Sequence, residues 1–138
     1  MGDARIAQAK RAIDKYNQQR NDWIERIDDW IAERLAELGV TAKADASQNT
    51  ETLGSTIDRL SILALRIYHL EEILPITAGK LRLALLQQDD LSRAAQQLAD
   101  DLASGRRRHT TYRALKMYND PMLNPYLRRV ARAEGVMP

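Results

Sequence analysis

From Ile13 onward, apolar side chains recur every three or four residues, through Tyr16, Trp23, Ile24, Ile27, Ile31, Leu35 and Leu38. That spacing keeps returning to one face of a 3.6-residue helix, and nowhere do β-branched residues alternate with the period of two that a strand needs. One long helix is predicted over residues 3–38, with Gly39 as its stop. Its stripe is interrupted at Asn17, Arg20 and Asn21, a gap in the seam that Trp23 is expected to cover.

The same reading continues along the chain. Residues 39–51 are small and polar and read as a connecting loop. A second helix is predicted over 55–73, stopping at Pro75, and a third over 80–104, with Gly105 as terminator. A short fourth helix is expected near Thr111 to Met117. Asp120-Pro121 and Asn124-Pro125 each pair an N-cap candidate with Pro at the first helical position, so a last helical piece should start at Pro125 and end near Gly135. The fold class expected is all-α: a helical bundle of three long helices plus short C-terminal helices, in one domain over 1–138.

Composition bounds the function. With 44% hydrophobic and 29% charged residues in 138, the chain is long enough to bury a core. It has no Cys, which excludes disulfide scaffolds, thiol catalysis and Cys-ligated zinc. The N-terminal stretch is charged from Asp3 onward, so no secretory signal is expected, and the uncharged run Leu60–Leu65 is too short to span a bilayer. The expected location is the cytoplasm, without membrane contact.

The net charge of +2 conceals an asymmetry. Residues 1–103 hold 13 Lys and Arg against 17 Asp and Glu, whereas residues 104–138 hold 8 against 2. A basic final third suits an acidic partner, a phosphorylated small molecule or nucleic acid, and equally a solvated surface.

The second helix has one polar face. On a wheel, Ile57, Leu60, Leu63, Ala64, Ile67, Tyr68 and Leu70 cover more than half the circumference, so this helix should be central in the bundle. The opposite arc collects Ser55, Asp58, Arg59, Arg66 and His69 around Ile62. Ser55 and Asp58 have capping-box spacing, which accounts for both without a ligand. A Gly-Ser turn opening a helix, with Arg59 one turn in, also suits an anion. The arc is either solvent face or pocket floor.

Two segments together resemble a bacterial helical family, domain of unknown function 4254. They are residues 49–72, NTETLGSTIDRLSILALRIYHLEE, and residues 106–127, RRRHTTYRALKMYNDPMLNPYL. The first shares Thr52, Gly54, Ser55, Asp58, Arg59, Leu60, Ser61, Ile62, Tyr68 and His69 with the family pattern. The second shares Tyr112, Arg113, Lys116, Tyr118, Asn119, Asp120 and Pro121. The resembling core spans 49–127, and Leu53 stands where the family often has Pro. No established activity comes with the resemblance, only an association with bacterial glycan or nucleotide-sugar genes.

What the resemblance implies is a shared ligand pocket built from Ser55, Asp58, Arg59, His69, Arg113, Lys116, Tyr118 and Asn119, and the polar arc of the second helix adds Arg66 to it. Arg and Lys would clamp a phosphate or carboxylate, and Tyr118 and Asn119 would read a ring or a hydroxyl. The expected function is a binding or accessory module for an anionic small molecule of the nucleotide, nucleotide-sugar or phosphosugar class. The alternatives are an enzyme on such a ligand, with His69 or Asp58 as acid-base, and a nucleic-acid binder using Arg106, Arg107, Arg108, Arg128, Arg129 and Arg132.

No cofactor or metal is expected. Glu25-x-x-Asp28 has a magnesium-pair spacing but no second pair to face it, and reads as an exposed acid cluster. A Ser55-His69-Asp58 triad fails because His69 lies three turns from Asp58 on one helix. The apolar surface of the first helix, with Trp23 and Trp30, predicts a homodimer through it.

Overall fold

The computed structural model describes residues 2–113, 122, 124–133 and 135. Their order is α1 (Asp3–Glu37), β1 (Ser47–Gln48), α2 (Leu53–Glu71), α3 (Ala78–Ala103), β2 (Arg107–Arg108) and α4 (Pro125–Ala133). The architecture is all-α, with three long helices; the two strands form only a two-residue parallel pair, Ser47 opposite Arg107 and Gln48 opposite Arg108. No helix among the described residues is long and apolar enough to cross a membrane.

Gly39 and Gly105 end their helices as the sequence predicts, and for the same reason. Each has a positive φ, 67° and 70°, which a residue without Cβ adopts freely. Val40 N–H reaches back to Leu35 C=O and Gly39 N–H to Ala36 C=O; Arg106 and Gly105 repeat the pattern on Asp101 and Leu102. Both are Schellman closures that satisfy carbonyls left open at a helix end. Gly105 is doubly constrained, because a Cβ there would lie 2.5 Å from the Thr41 carbonyl oxygen.

α2 lies between α1 and α3 and packs on both. Leu63 and Ile67 of α2 meet Ala84 of α3 in the buried core, with Leu70 and Leu81 against them. Its centrality stands, but its apolar width is not fully used: Ile57, Leu65 and Tyr68 remain exposed. Trp23 does not cover the gap in the α1 stripe. It is 61% exposed, with the Arg26 guanidinium 5.1 Å from its ring centre. The gap is instead filled from α2, because Arg20 forms a two-point ion pair with Asp58, 3.0 and 2.6 Å.

The expected helix near Thr111 does not begin there. Residues 111–113 are non-helical, and residues 114–117 lie outside the described residues. The physical cause is an alternative set of partners on α1. His109 Nε2 is 2.8 Å from the Asp28 carbonyl oxygen, and Arg113 donates to Glu25 and Asp29. These bonds lay residues 109–113 across α1.

Candidate functional site

The TLGS turn is built from three directions. Thr52, in extended conformation, caps α2 by accepting the Ser55 N–H at 3.1 Å, so the helix starts three residues earlier than a Ser55 cap predicts. The Gly54 N–H donates to Asp28 Oδ1 of α1 at 2.9 Å. Asp28 is 3% exposed, so it is a buried structural acceptor and not part of an exposed acid cluster. The helix-terminal amides expected to receive an anion already hold one, supplied by α1. Gly54 makes this approach feasible: a Cβ there would sit 2.6 Å from Asp28 Oδ1 and 2.8 Å from the Ile24 carbonyl oxygen. Asp58, paired with Arg20, does not complete a capping box.

The segment after β2 folds against this turn. Tyr112 and Arg113 line a cleft of about 290 Å³ together with Thr50, Thr52, Ser55, Ile24 and Asp28. Arg113 is drawn there by the Glu25 and Asp29 carboxylates, which also raise its pKa, Asp29 more than Glu25. Its charge is therefore matched within the chain. In the sequence Glu25 looks like part of an exposed acid cluster, since nothing local shows that a guanidinium 88 residues later will meet it.

A second concavity lies between α2 and α3. Arg59, Ile62, Leu63 and Arg66 form one wall, and Gln87, Asp90, Leu91 and Ala94 the other, around about 570 Å³. A smaller hollow shares Arg59, Leu91 and Ala94 with it and continues to Asn49, Thr50 and Leu98. Arg59 is tied to Glu51 at 2.7 Å. Asp90 faces inward from α3 but is engaged by Arg93 at 2.7 Å. Arg66 forms no hydrogen bond or ion pair among the described residues. The groove thus sets two guanidiniums, seven residues and about 10 Å apart along α2, above a floor of Leu63, Leu91 and Ala94.

The residues expected to share one pocket are distributed. Arg59 and Arg66 share the α2–α3 groove, and Ser55 and Arg113 share the cleft at the start of α2. Asp58 is held by Arg20, and His69 meets Glu72 at 2.8 Å on the surface beside the Tyr68 ring. Lys116, Tyr118 and Asn119 lie outside the described residues. Among the described residues, no group of three or more His, Asp or Glu could hold a metal ion.

The basic run after α3 is bonded into the fold. Asp101 accepts from Gln97, Arg106 and Arg107, and these bonds hold its carboxyl below the usual carboxylate range, Gln97 contributing most. Arg108 donates to the carbonyl oxygens of Ala44 and Ala46. This knot joins the 39–51 loop to the end of α3, and from it the chain reaches α1 at His109.

Compared with known families, residues 1–111 match one described as "Protein of unknown function (DUF4254)". The match takes in α1, which the two resembling segments leave out, and ends just before Tyr112. No curated protein and no solved structure matches the chain.

Proposed function

The chain belongs to the DUF4254 family, and we propose that it is a small helical binding module for an anionic small molecule, held in the α2–α3 groove. The observation that carries this reading is Arg66, which faces the groove beside Arg59 without a partner among the described residues. A guanidinium offers a planar fork of donors that fits a phosphate or carboxylate at two points. The apolar floor of Ile62, Leu63, Leu91 and Ala94 suits a ring. Nucleotides, nucleotide sugars and sugar phosphates combine those two features.

Catalysis has less support. Asp58 is committed to Arg20, and His69 sits on the surface against Glu72, so the two do not converge on one ligand position. Nucleic-acid binding has less support as well, since Arg106 and Arg107 spend their charge on Asp101. The compartment proposed is the cytoplasm, in keeping with a sequence that has no Cys.

A thermal-shift screen with a nucleoside diphosphate, a nucleotide sugar and a hexose phosphate tests the reading. At a concentration a hundredfold above Kd, one of them should raise the wild-type Tm by roughly 5–10 °C. Arg66→Ala should lose most of that rise, and Arg59→Ala part of it. If none shifts the wild type, or both variants respond as the wild type does, the groove is not a ligand site. Turnover lost in His69→Ala with binding retained would favour the enzyme instead.

A further inference from the structure

α1 carries more than its buried stripe. Beside Ile24, Asp28 and Ile31, a second series repeats at alternating three- and four-residue steps: Ile6, Ala9, Ile13, Tyr16, Arg20, Trp23, Ile27 and Trp30. Steps of three and four alternate at a mean period of 3.5, which is the seam of a two-stranded coiled coil. Tyr16, Trp23 and Trp30 fall on one register position, seven residues apart, and form an aromatic ladder about 21 Å long. They are 63%, 61% and 62% exposed, and Ile6 and Ile13 at the other position are 52% and 55% exposed. Only Arg20 and Ile27 in the middle of the seam lean toward the fold, Arg20 through its pair with Asp58.

A stable interface takes about 800 Å² from each partner, and the seam runs from Ile6 to Trp30, about 36 Å of helix. Large aromatic side chains set in register along one helix are also the residues that interfaces concentrate.

We infer that this face of α1 pairs with the same face of a second copy of the chain, aromatic ladder against aromatic ladder. The pairing is isologous: each ladder is both donor and acceptor of the same knobs, as a two-fold axis requires. The seam carries a single charged side chain, Arg20, and its charge is already met by Asp58 of its own chain, so two copies approach without like-charge conflict. With the two helices parallel and in register, Trp23, the middle rung, faces its own symmetry mate.

The chain lacks Cys, which allows a direct test. Sedimentation of the full chain at micromolar concentration should give a dimer, and Trp23→Cys should oxidise to a disulfide-linked dimer on a non-reducing gel. Leu86→Cys, exposed on α3, should stay a single chain under the same conditions. Trp23→Glu combined with Trp30→Glu should sediment as a monomer with unchanged far-UV circular dichroism. A monomeric wild type overturns the inference, including the case in which another part of the same chain covers the seam. A dimeric wild type in which Trp23→Cys fails to cross-link places the interface elsewhere and overturns it too.

Discussion

At the start of α2, Asp28, Thr52 and Arg20 each engage the helix or its side chains. Along the side of the same helix that faces α3, Arg66 has no partner among the described residues. Both regions contain residues of the family pattern, and both are concave. The difference lies in what fills the electrostatic demand. At the helix start the fold supplies its own anion, a carboxylate buried against a glycine. Along the groove the arginine's charge is left to solvent or to a ligand. Polar residues in the first region are therefore architecture, whereas in the second Arg66 is held by no hydrogen bond or ion pair among the described residues.

Substitutions that strike the helix start should cost the most. Gly54→Ala drives a methyl into Asp28 and the Ile24 carbonyl, and should lower stability by about 3 kcal/mol, measured by urea unfolding. Asp28→Ala leaves the buried Gly54 N–H without an acceptor and should cost about 2 kcal/mol. Asp28→Asn, which keeps an oxygen in place, should recover part of that loss. Because both residues make one contact, the double variant should cost less than the sum. Additive costs would show that the two positions act separately.

Acid should loosen the knot at the end of α3 next. The Asp101 carboxyl is depressed below its ordinary value, so it contributes stability that is fully present above the unfolded-state pKa of about 3.9. That contribution is lost as pH falls below this value and through the lowered folded one. Asp101→Asn should lack this part of the acid transition, and a variant with an unchanged pH profile would remove Asp101 from the account. The smallest effect belongs to the groove: Arg66→Ala should change stability in ligand-free buffer by no more than about 0.5 kcal/mol. A larger loss would make Arg66 structural and erase the contrast with the helix start.

Much of the fold was legible residue by residue. Periodicity places three long helices, and Gly39 and Gly105 mark two of their ends, because positive φ is a local demand that a glycine announces. The cap of α2 is Thr52 and not Ser55, because both fit the same capping chemistry and only backbone geometry ranks them. The pocket residues were legible as types but not as a group. Asp58, Arg59 and His69 share an arc on a wheel, yet each turns to a different neighbour.

By itself, then, the chain's periodicity determined an all-α fold, its stops, and a polar arc on the second helix. Those follow from interactions between residues three to five apart, which any reader of the order can count. Only the tertiary structure decided that Asp28 of α1 occupies the start of α2, that Arg113 returns to Glu25 and Asp29, and that Arg66 is left facing a groove. Each depends on contacts between residues 21 to 88 positions apart, whose geometry is set when helices pack and the loop closes. Whether a charged side chain is a strut or a site is settled at that stage, by which neighbour reaches it first.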